Sequence, residues 1–428
     1  VLSLYDASRL NGPTIDGKPS NWSTVDKEIG AKLGAIAAKG GAIRILSSTI
    51  ISPSTKAVIA EFTAKYPSTK LVTYDAISFA GIAKANEKSF GKAVIPSYSF
   101  DKAQVIVSIG ADFLANWIED YSVPYARNRK VSREKSEMSK HYQFESNLSL
   151  TGANADERVP VKVSEQAKVA VNLYNAVAKQ VGGTTLPSAA LSSDTMITKA
   201  AKDLADHKGS SLVVCGSNDV DVQVIVNGIN ELLGNYGKTI DLDTPSYLNQ
   251  SDDQGFADLV SEMAAGKVDA LITYNTNPVY TSPAALKFAD AYNKVGLRIS
   301  FADRADETAS WAQYVCPDHH YLESWNDFNP KRTIYSLAQP TIRPLFSAPN
   351  SGTRQAQETL LRWAGNTSDY HAYIQKVWND HIFPMQGVTM DFTEFWNKSL
   401  HAGIIEVGRG TIAPNDVALK GKPTSAEG

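Results

Sequence analysis

The sequence is poor in cysteine, and this scarcity excludes several kinds of site. It has two cysteines in 428 residues, Cys215 and Cys316, and they stand far apart in apolar settings. An iron–sulfur cluster needs four cysteines, or histidines in their place, so this chain alone cannot hold one. A disulfide framework is excluded by the same count. Cys215 is predicted to be a small buried side chain.

Long apolar runs and an excess of one charge are also missing. No apolar run approaches the roughly 20 residues needed to cross a bilayer, so we expect no direct membrane span. The net charge is −3, with acids and bases spread along the chain. The chain therefore lacks the basic surface that nucleic acids require, and no nucleic-acid partner is expected.

Common nucleotide and hydrolase motifs are absent as well. The chain has no GxGxxG or GxxxxGK[ST] loop, and no GxSxG turn for a serine nucleophile. The run from Cys316 to His320 has ligand-type residues at short spacing, but it lacks a second ligand pair. We interpret it as a strand end leading to an exposed loop.

What the sequence does have is a repeated alternation of strand and helix, which predicts parallel sheets covered by helices. The strands are predicted at 42–46, 71–74, 105–109, 212–215, 268–274 and 297–301. The helices are predicted at 24–39, from 52, and at 79–90, 164–181, 195–207, 220–234, 254–266 and 282–294. Residues 119–160 are polar and are predicted to be a long surface excursion. Two aromatic helices, near 370–379 and 391–401, precede an extended tail at 405–428.

Several short segments, in this order, match a known family: 4–10, 105–112, 233–238, 266–278, 306–309 and 316–324. Together they resemble the molybdopterin oxidoreductases, whose large subunits hold molybdenum or tungsten between two guanine dinucleotides. Residues 139–160 look closest to one branch, the iron–sulfur, molybdopterin-like B subunit of bacterial alternative complex III. Members of that branch take part in quinol oxidation.

The resemblance implies an α/β fold with two doubly wound, Rossmann-like domains, one of them discontinuous. We predict a discontinuous domain from 1–75 plus 220–345, an inserted domain at 76–219, and C-terminal helices and tail at 346–428. The chain opens at Val1 in mid-pattern, so we expect further residues ahead of it.

The family's metal is held in part by a protein ligand, usually Cys, selenocysteine, Ser or Asp. The corresponding loop here has Asp75 and Ser78 and no cysteine. We predict that both residues cap the following helix, and we keep them as metal ligands for the alternative of an active enzyme.

The family's two nucleotide loops correspond to Gly110, Ala111 and Asp112, and to Asn277 and Pro278. A carboxylate followed by Phe113 would oppose a phosphate in the first loop, and the second loop has no glycine. We therefore interpret both as vestigial and expect no cofactor in this chain.

Contacts with other proteins are predicted at Phe328, Lys331 and Arg332, in a segment rich in aromatic and basic residues. His141 is predicted to be a further interface or surface residue.

The leading hypothesis is a non-catalytic scaffold in a quinol-oxidising respiratory complex at the periplasmic face of the bacterial inner membrane. The resemblance implies iron–sulfur clusters in a missing ferredoxin-like part. It also implies cytochrome c subunits with haem c and a quinol-binding integral membrane subunit as partners. The alternative is an active molybdenum or tungsten oxidoreductase of the polysulfide, nitrate or formate type. A third hypothesis is a small-molecule binding module that uses the vacated cleft.

Overall fold

The computed structural model describes residues 1–188, 190–387 and 389–408. The strands are β1 Thr14–Ile15, β2 Lys18–Pro19, β3 Ile43–Ser47, β4 Thr69–Thr73, β5 Ile95–Tyr98, β6 Val105–Ile109, β7 Lys140–Glu145, β8 Glu157–Pro160, β9 Ser211–Cys215, β10 Ile240–Ser246, β11 Ala270–Tyr274, β12 Leu297–Ser300, β13 Tyr314–Val315, β14 Asn326–Lys331, β15 Ile334–Ala338 and β16 Ile404–Glu406. The helices are α1 Trp22–Ala38, α2 Pro53–Lys65, α3 Ala80–Phe90, α4 Ser122–Arg129, α5 Leu150–Ala153, α6 Gln166–Val181, α7 Asp194–Asp206, α8 Val220–Leu232, α9 Asp253–Ala264, α10 Pro278–Thr281, α11 Phe288–Tyr292, α12 Ala356–Ala364, α13 Tyr370–Val377 and α14 Phe392–Ala402.

The chain divides into two compact units, and one of them is discontinuous. Unit 1 combines Val1–Ser78 with the described residues from Gln250 onward, and unit 2 consists of the described residues of Phe79–Asn249. The predicted return to the first domain at 220 is corrected to Gln250, because α8 packs on α3 and α6 of unit 2. The described residues from 346 onward do not form a separate domain, because α12 and α13 pack against α2 in the core of unit 1.

Unit 1 is built on a sheet with strand order β2-β1-β13-β12-β11-β3-β4. The strands from β13 to β4 run parallel, and the five residues of β3 are all buried. A strand that is buried along its whole length is typical of a parallel sheet covered on both faces. One face packs against α1, α2 and α12–α14, and the other against α9 and α11. Strands β14, β15 and β16 form a separate antiparallel ladder.

Unit 2 has a parallel sheet with strand order β8-β7-β6-β9. Helices α6, α7 and α8 cover one face, and aromatic side chains of residues 100–125 cover the other. The predicted surface excursion at 119–160 is therefore wrong in its second half, where β7 and β8 are strands of this sheet. Alternating polar residues in β7 concealed the strand, because those polar residues are buried as well.

Other predicted elements need smaller corrections. The helix predicted at 282–294 is shorter in the structure, where α11 begins at Phe288, directly after Lys287, whose φ is +52°. In the predicted tail, β16 occupies Ile404–Glu406, and residues 409–428 lie outside the described part of the chain. Over the residues that the structure describes, no helix is both long and apolar enough to span a membrane.

Candidate functional site

In unit 1, the loop after β11 is organised around one threonine. Asn275 begins the loop with a φ of +50°. The Asn277 Oδ1 accepts hydrogen bonds from the Thr308 N–H at 3.1 Å and the Thr308 hydroxyl at 2.7 Å. The Thr308 hydroxyl oxygen in turn accepts from the Val279 N–H at 3.0 Å. The threonine therefore ties the end of β11 to the segment that follows β12.

In unit 2, the loop after β6 repeats this arrangement. Gly110 begins it with a φ of +67°. The Asp112 Oδ1 accepts from the Thr151 N–H at 3.0 Å and the Thr151 hydroxyl at 2.7 Å, and the Leu114 N–H donates to the Thr151 oxygen at 2.9 Å. The predicted loop residues Gly110, Ala111 and Asp112 thus have a structural counterpart in Asn275, Thr276 and Asn277.

Strand registers make the two loops comparable residue by residue. Thr273 of β11 pairs with Ser300 of β12, and Ser108 of β6 pairs with Gln143 of β7. Two residues beyond Ser300 and Gln143 come Ala302 and Glu145, at the same spacing from Thr308 and Thr151. Ala302 and Glu145 are therefore equivalent positions at the carboxyl ends of the two sheets.

Around the unit 1 loop there is a cavity of about 570 Å³. It lies at the carboxyl ends of β11 and β12, where open α/β sheets characteristically bind ligands. Most of the residues that line it are polar, including Asn275, Asn277, Asp303, Asp306 and Asp318. The small side chain of Ala302 also borders it. The predicted loop residue Asn277 thus faces an open space, and Pro278 begins α10.

Asp318 is the most strongly perturbed acid in this cavity. Its Oδ1 accepts from the backbone N–H groups of His319 at 2.7 Å and Ala356 at 2.9 Å. Burial raises the pKa of Asp318 to about 7 despite these two donors. The prediction of an exposed loop after Cys316 is wrong, because His319 is half-buried and His320 is buried, and both line the cavity beside Asp318. Burial lowers the pKa of both histidines.

In unit 2, the equivalent space holds the side chain of Glu145, which is 3% exposed. Its oxygens accept from the Ser149 N–H at 3.2 Å, the Ser149 hydroxyl at 2.6 Å, the Gln143 Nε2 at 3.2 Å and the Arg158 Nε at 2.5 Å. Burial by itself would raise the pKa of Glu145, but the bonds from Ser149 and Arg158 outweigh burial and lower it. Glu145 is therefore a fully ligated carboxylate within the protein.

His141 is not the surface residue that was predicted. It is 0% exposed, on the same face of β7 as Gln143 and Glu145. Its Nε2 lies 3.2 Å from Gln143 Oε1, and its Nδ1 lies 3.1 Å from the Tyr125 hydroxyl. Because Gln143 uses its amide N–H to reach Glu145, its Oε1 must accept from His141 Nε2–H. Burial lowers the pKa of His141 to about 4, so the ring is neutral.

The predicted metal ligand Asp75 has a different task in unit 1. Its carboxylate accepts from the Thr49 N–H at 2.8 Å and the Thr49 hydroxyl at 2.5 Å. Its own N–H donates to the Ser251 hydroxyl at 3.2 Å. The prediction that Asp75 caps a helix is wrong, because both of its carboxylate oxygens accept hydrogen bonds from Thr49 in the loop after β3. Ser78 is half-buried at the end of that segment.

The predicted contact segment lies in and after β14. Phe328 and Lys331 are half-buried and Arg332 is exposed. Asp327, immediately before them, is fully buried and accepts from the hydroxyls of Ser52 and Ser54 and from the Trp378 indole N–H. One side of β14 therefore belongs to the core, while Arg332 remains on the surface.

Within the described ranges, no three or more His, Cys, Asp or Glu side chains are placed to hold a metal ion together. Cys215 is 1% exposed, as predicted, and Cys316 is fully buried.

Comparisons with known proteins give one curated relative and similar solved structures. The chain is 24% identical, over 323 residues, to the menaquinone reductase, molybdopterin-binding-like subunit of Nitratidesulfovibrio vulgaris. The match covers 66% of this chain but 46% of the relative, so the chain spans about half of that protein's length. No protein-family model matches the chain.

Among solved structures, acetylene hydratase from Pelobacter acetylenicus aligns with a TM-score of 0.64, covering 94% of this chain and 67% of its own. The formyltransferase/hydrolase complex from Methylorubrum extorquens aligns with a TM-score of 0.52, covering 85% of this chain and 99% of its own. Both are 13% identical, which shows a shared fold and nothing about activity.

Proposed function

Because the chain has a molybdopterin-oxidoreductase-like fold, we propose that it is a cofactor-less scaffold in a quinone-linked respiratory oxidoreductase complex. The fold is that of acetylene hydratase, and the curated relative carries the words molybdopterin-binding-like in its name. In this role the chain has the fold of an enzyme subunit but does not itself catalyse a reaction. Such a subunit would hold electron-carrying partners at fixed distances.

The observation that carries the proposal is the filled loop of unit 2. Each of the two dinucleotides of the family's cofactor would need N–H donors and room at its own loop. In unit 2, Asp112 and Glu145 already take the donors of Thr151, Ser149, Gln143 and Arg158. A phosphate there would meet two carboxylates in place of free donors, so the residues present do not fit it.

The active-enzyme alternative finds less support in these contacts. It would need Asp75 or Ser78 as the protein ligand of molybdenum or tungsten. The two carboxylate oxygens of Asp75 accept from Thr49, so ligation would cost both of those hydrogen bonds. The cavity of unit 1 favours a second candidate, a small-molecule binding module, because it is open at the ligand-binding edge of the sheet.

More specifically, we propose that the complex is of the alternative complex III type. Its other subunits would then be cytochrome c subunits with haem c and a quinol-binding integral membrane subunit. Iron–sulfur clusters would lie in an associated ferredoxin-like part, at the periplasmic face of the bacterial inner membrane. The name of the curated relative supports a quinone-linked complex. The exposed Arg332, with Lys331 and Phe328 beside it, is our candidate contact for these partners.

Elemental analysis of the purified native assembly tests the proposal. Molybdenum, tungsten and iron would be measured per copy of this chain, and pterin would be assayed by fluorescence after acid oxidation. We expect iron without molybdenum, tungsten or pterin. Stoichiometric molybdenum or tungsten with pterin would refute the scaffold role and would make Asp75 and Ser78 the first residues to mutate.

A further inference from the structure

The buried acid of unit 2 sits in a cluster of donors that resembles an anion-binding site. Three residues, Gln143, Ser149 and Arg158, direct four N–H or O–H groups at Glu145. Charge-assisted hydrogen bonds of this kind are those that proteins use to bind carboxylates and phosphates. Here the anion they hold is a side chain of the same chain.

Unit 1 shows what the position contains without that side chain. Ala302 stands where Glu145 does, and it borders the cavity of about 570 Å³. The two loops share the threonine-centred hydrogen bonds, so their backbones do not explain why one borders a cavity and the other a filled space. The size and charge of one side chain explain it.

A second position changes in the opposite direction. Gly152 follows Thr151, and Ala309 follows Thr308. A Cβ added at Gly152 would lie 1.9 Å from the Glu145 Oε1, which no real contact allows. Unit 2 therefore combines a large residue with a glycine, whereas unit 1 has an alanine at both positions. The missing side chain at Gly152 therefore provides the space that the Glu145 carboxylate occupies.

We infer that unit 2 contains an anion site whose resident ligand is the carboxylate of Glu145, held by Arg158, Ser149 and Gln143. When that carboxylate is removed, the site will accept a small external carboxylate such as formate or acetate. This inference rests on the proposed absence of a cofactor and extends it, because it names what occupies the second loop.

Chemical rescue of the E145A variant tests the inference. Removing Glu145 leaves Arg158 and the other donors without an acceptor, so we expect the Tm to fall by about 5–10 °C. Formate or acetate at about 100 mM should restore at least half of that loss, since binding to the folded state alone raises stability. Chloride at the same ionic strength should not.

The E145Q variant is the matched control. Its side chain fills the same space and leaves no room for an external anion, so its Tm should not respond to formate. A response of equal size in the wild type, E145Q and E145A would indicate a general salt effect and would overturn the inference. Absence of rescue by formate and acetate in folded E145A would overturn it as well.

Should E145A fail to fold, E145S provides the test, because a serine hydroxyl retains one polar partner for Arg158 while leaving space. Rescue is measured on the chain itself and needs no metal or pterin. An absence of rescue would therefore not change what the elemental analysis of the native assembly shows, and the two proposals can fail separately.

Discussion

The loop after β11 in unit 1 and the loop after β6 in unit 2 share a framework but differ in what they surround. Each begins with a residue in the left-handed region and closes on a buried threonine. One faces an open polar cavity, and the other faces a buried carboxylate ligated by its own chain. The comparison shows the same loop backbone beside an open cavity in one unit and beside a side chain that fills the equivalent space in the other.

The difference also separates two kinds of electrostatic environment. In unit 1, Asp318 borders an open space without a cation among its hydrogen-bond partners, and its pKa is raised to about 7. In unit 2, Glu145 is paired with Arg158, and its pKa is lowered. Burial by itself raises the pKa of both acids. The hydrogen bonds that Glu145 accepts, including that from Arg158, outweigh burial and lower its pKa.

The largest expected effect comes from replacing the central threonine of each loop by valine. We expect T151V to lower the free energy of unfolding by about 3 kcal/mol and T308V to lower it by about 1–2 kcal/mol. The acceptor that loses its donor is a carboxylate in unit 2, Asp112, but a neutral amide in unit 1, Asn277. Hydrogen exchange resolved by segment measures the loss in each unit.

The D112N variant sharpens this test by giving unit 2 the acceptor type of unit 1. In the D112N background, T151V should cost no more than T308V does in the wild type. Equal losses for T151V and T308V in the wild-type background would mean that the charge of Asp112 does not matter.

Acid should affect unit 2 next most strongly, through His141. Its pKa is depressed to about 4, so the stability that the neutral ring contributes is present above the unfolded value of 6.5 and is lost as the pH falls through 4. Between about pH 7.5 and about pH 5 the loss should reach about 2 kcal/mol. The H141Q variant should lack it, as measured by urea unfolding at both pH values. A parallel pH response in the two proteins would contradict the assignment to His141.

The smallest effect is expected from Asp318 in unit 1, and it has the opposite sign. Its pKa is raised, so its contribution is fully present below the unfolded value of 3.8 and is lost as the pH rises through about 7. We expect the wild type to lose about 1 kcal/mol relative to D318N between about pH 5 and about pH 8, because solvent at the cavity screens the charge. If the difference is flat across this range, the raised pKa is wrong.

Much of the fold could be predicted from the sequence because the central parallel strands β6, β9 and β11 are short, largely apolar runs. The strand at 105–109 was predicted at its observed bounds, and the resemblance to the molybdopterin oxidoreductases is confirmed by the shared fold and the curated relative. The short apolar runs alternating with amphipathic helices carry this information locally.

The contents of the site could not be predicted in the same way, because they depend on partners distant in sequence. His141, Gln143 and Glu145 look like the polar face of an exposed strand until Arg158 and Tyr125 are seen to satisfy them. Asp75 precedes a helix and was predicted to cap it, but its carboxylate accepts a hydrogen bond from the Thr49 hydroxyl instead. The sequence did carry one signal, a threonine six residues after Glu145 and another six residues after Ala302.

The discontinuity of unit 1 has a consequence for the order of events at the ribosome. The described residues of unit 2 lie in one stretch of the chain, and all of their strands are present once residue 249 has emerged. In contrast, β3 must await its neighbour β11, and α2 must await α12, which ends at Ala364. At about 5–20 residues per second, the first 78 residues spend roughly 15–60 s without these partners. Translation therefore completes the closed loop of unit 2 before the open one of unit 1.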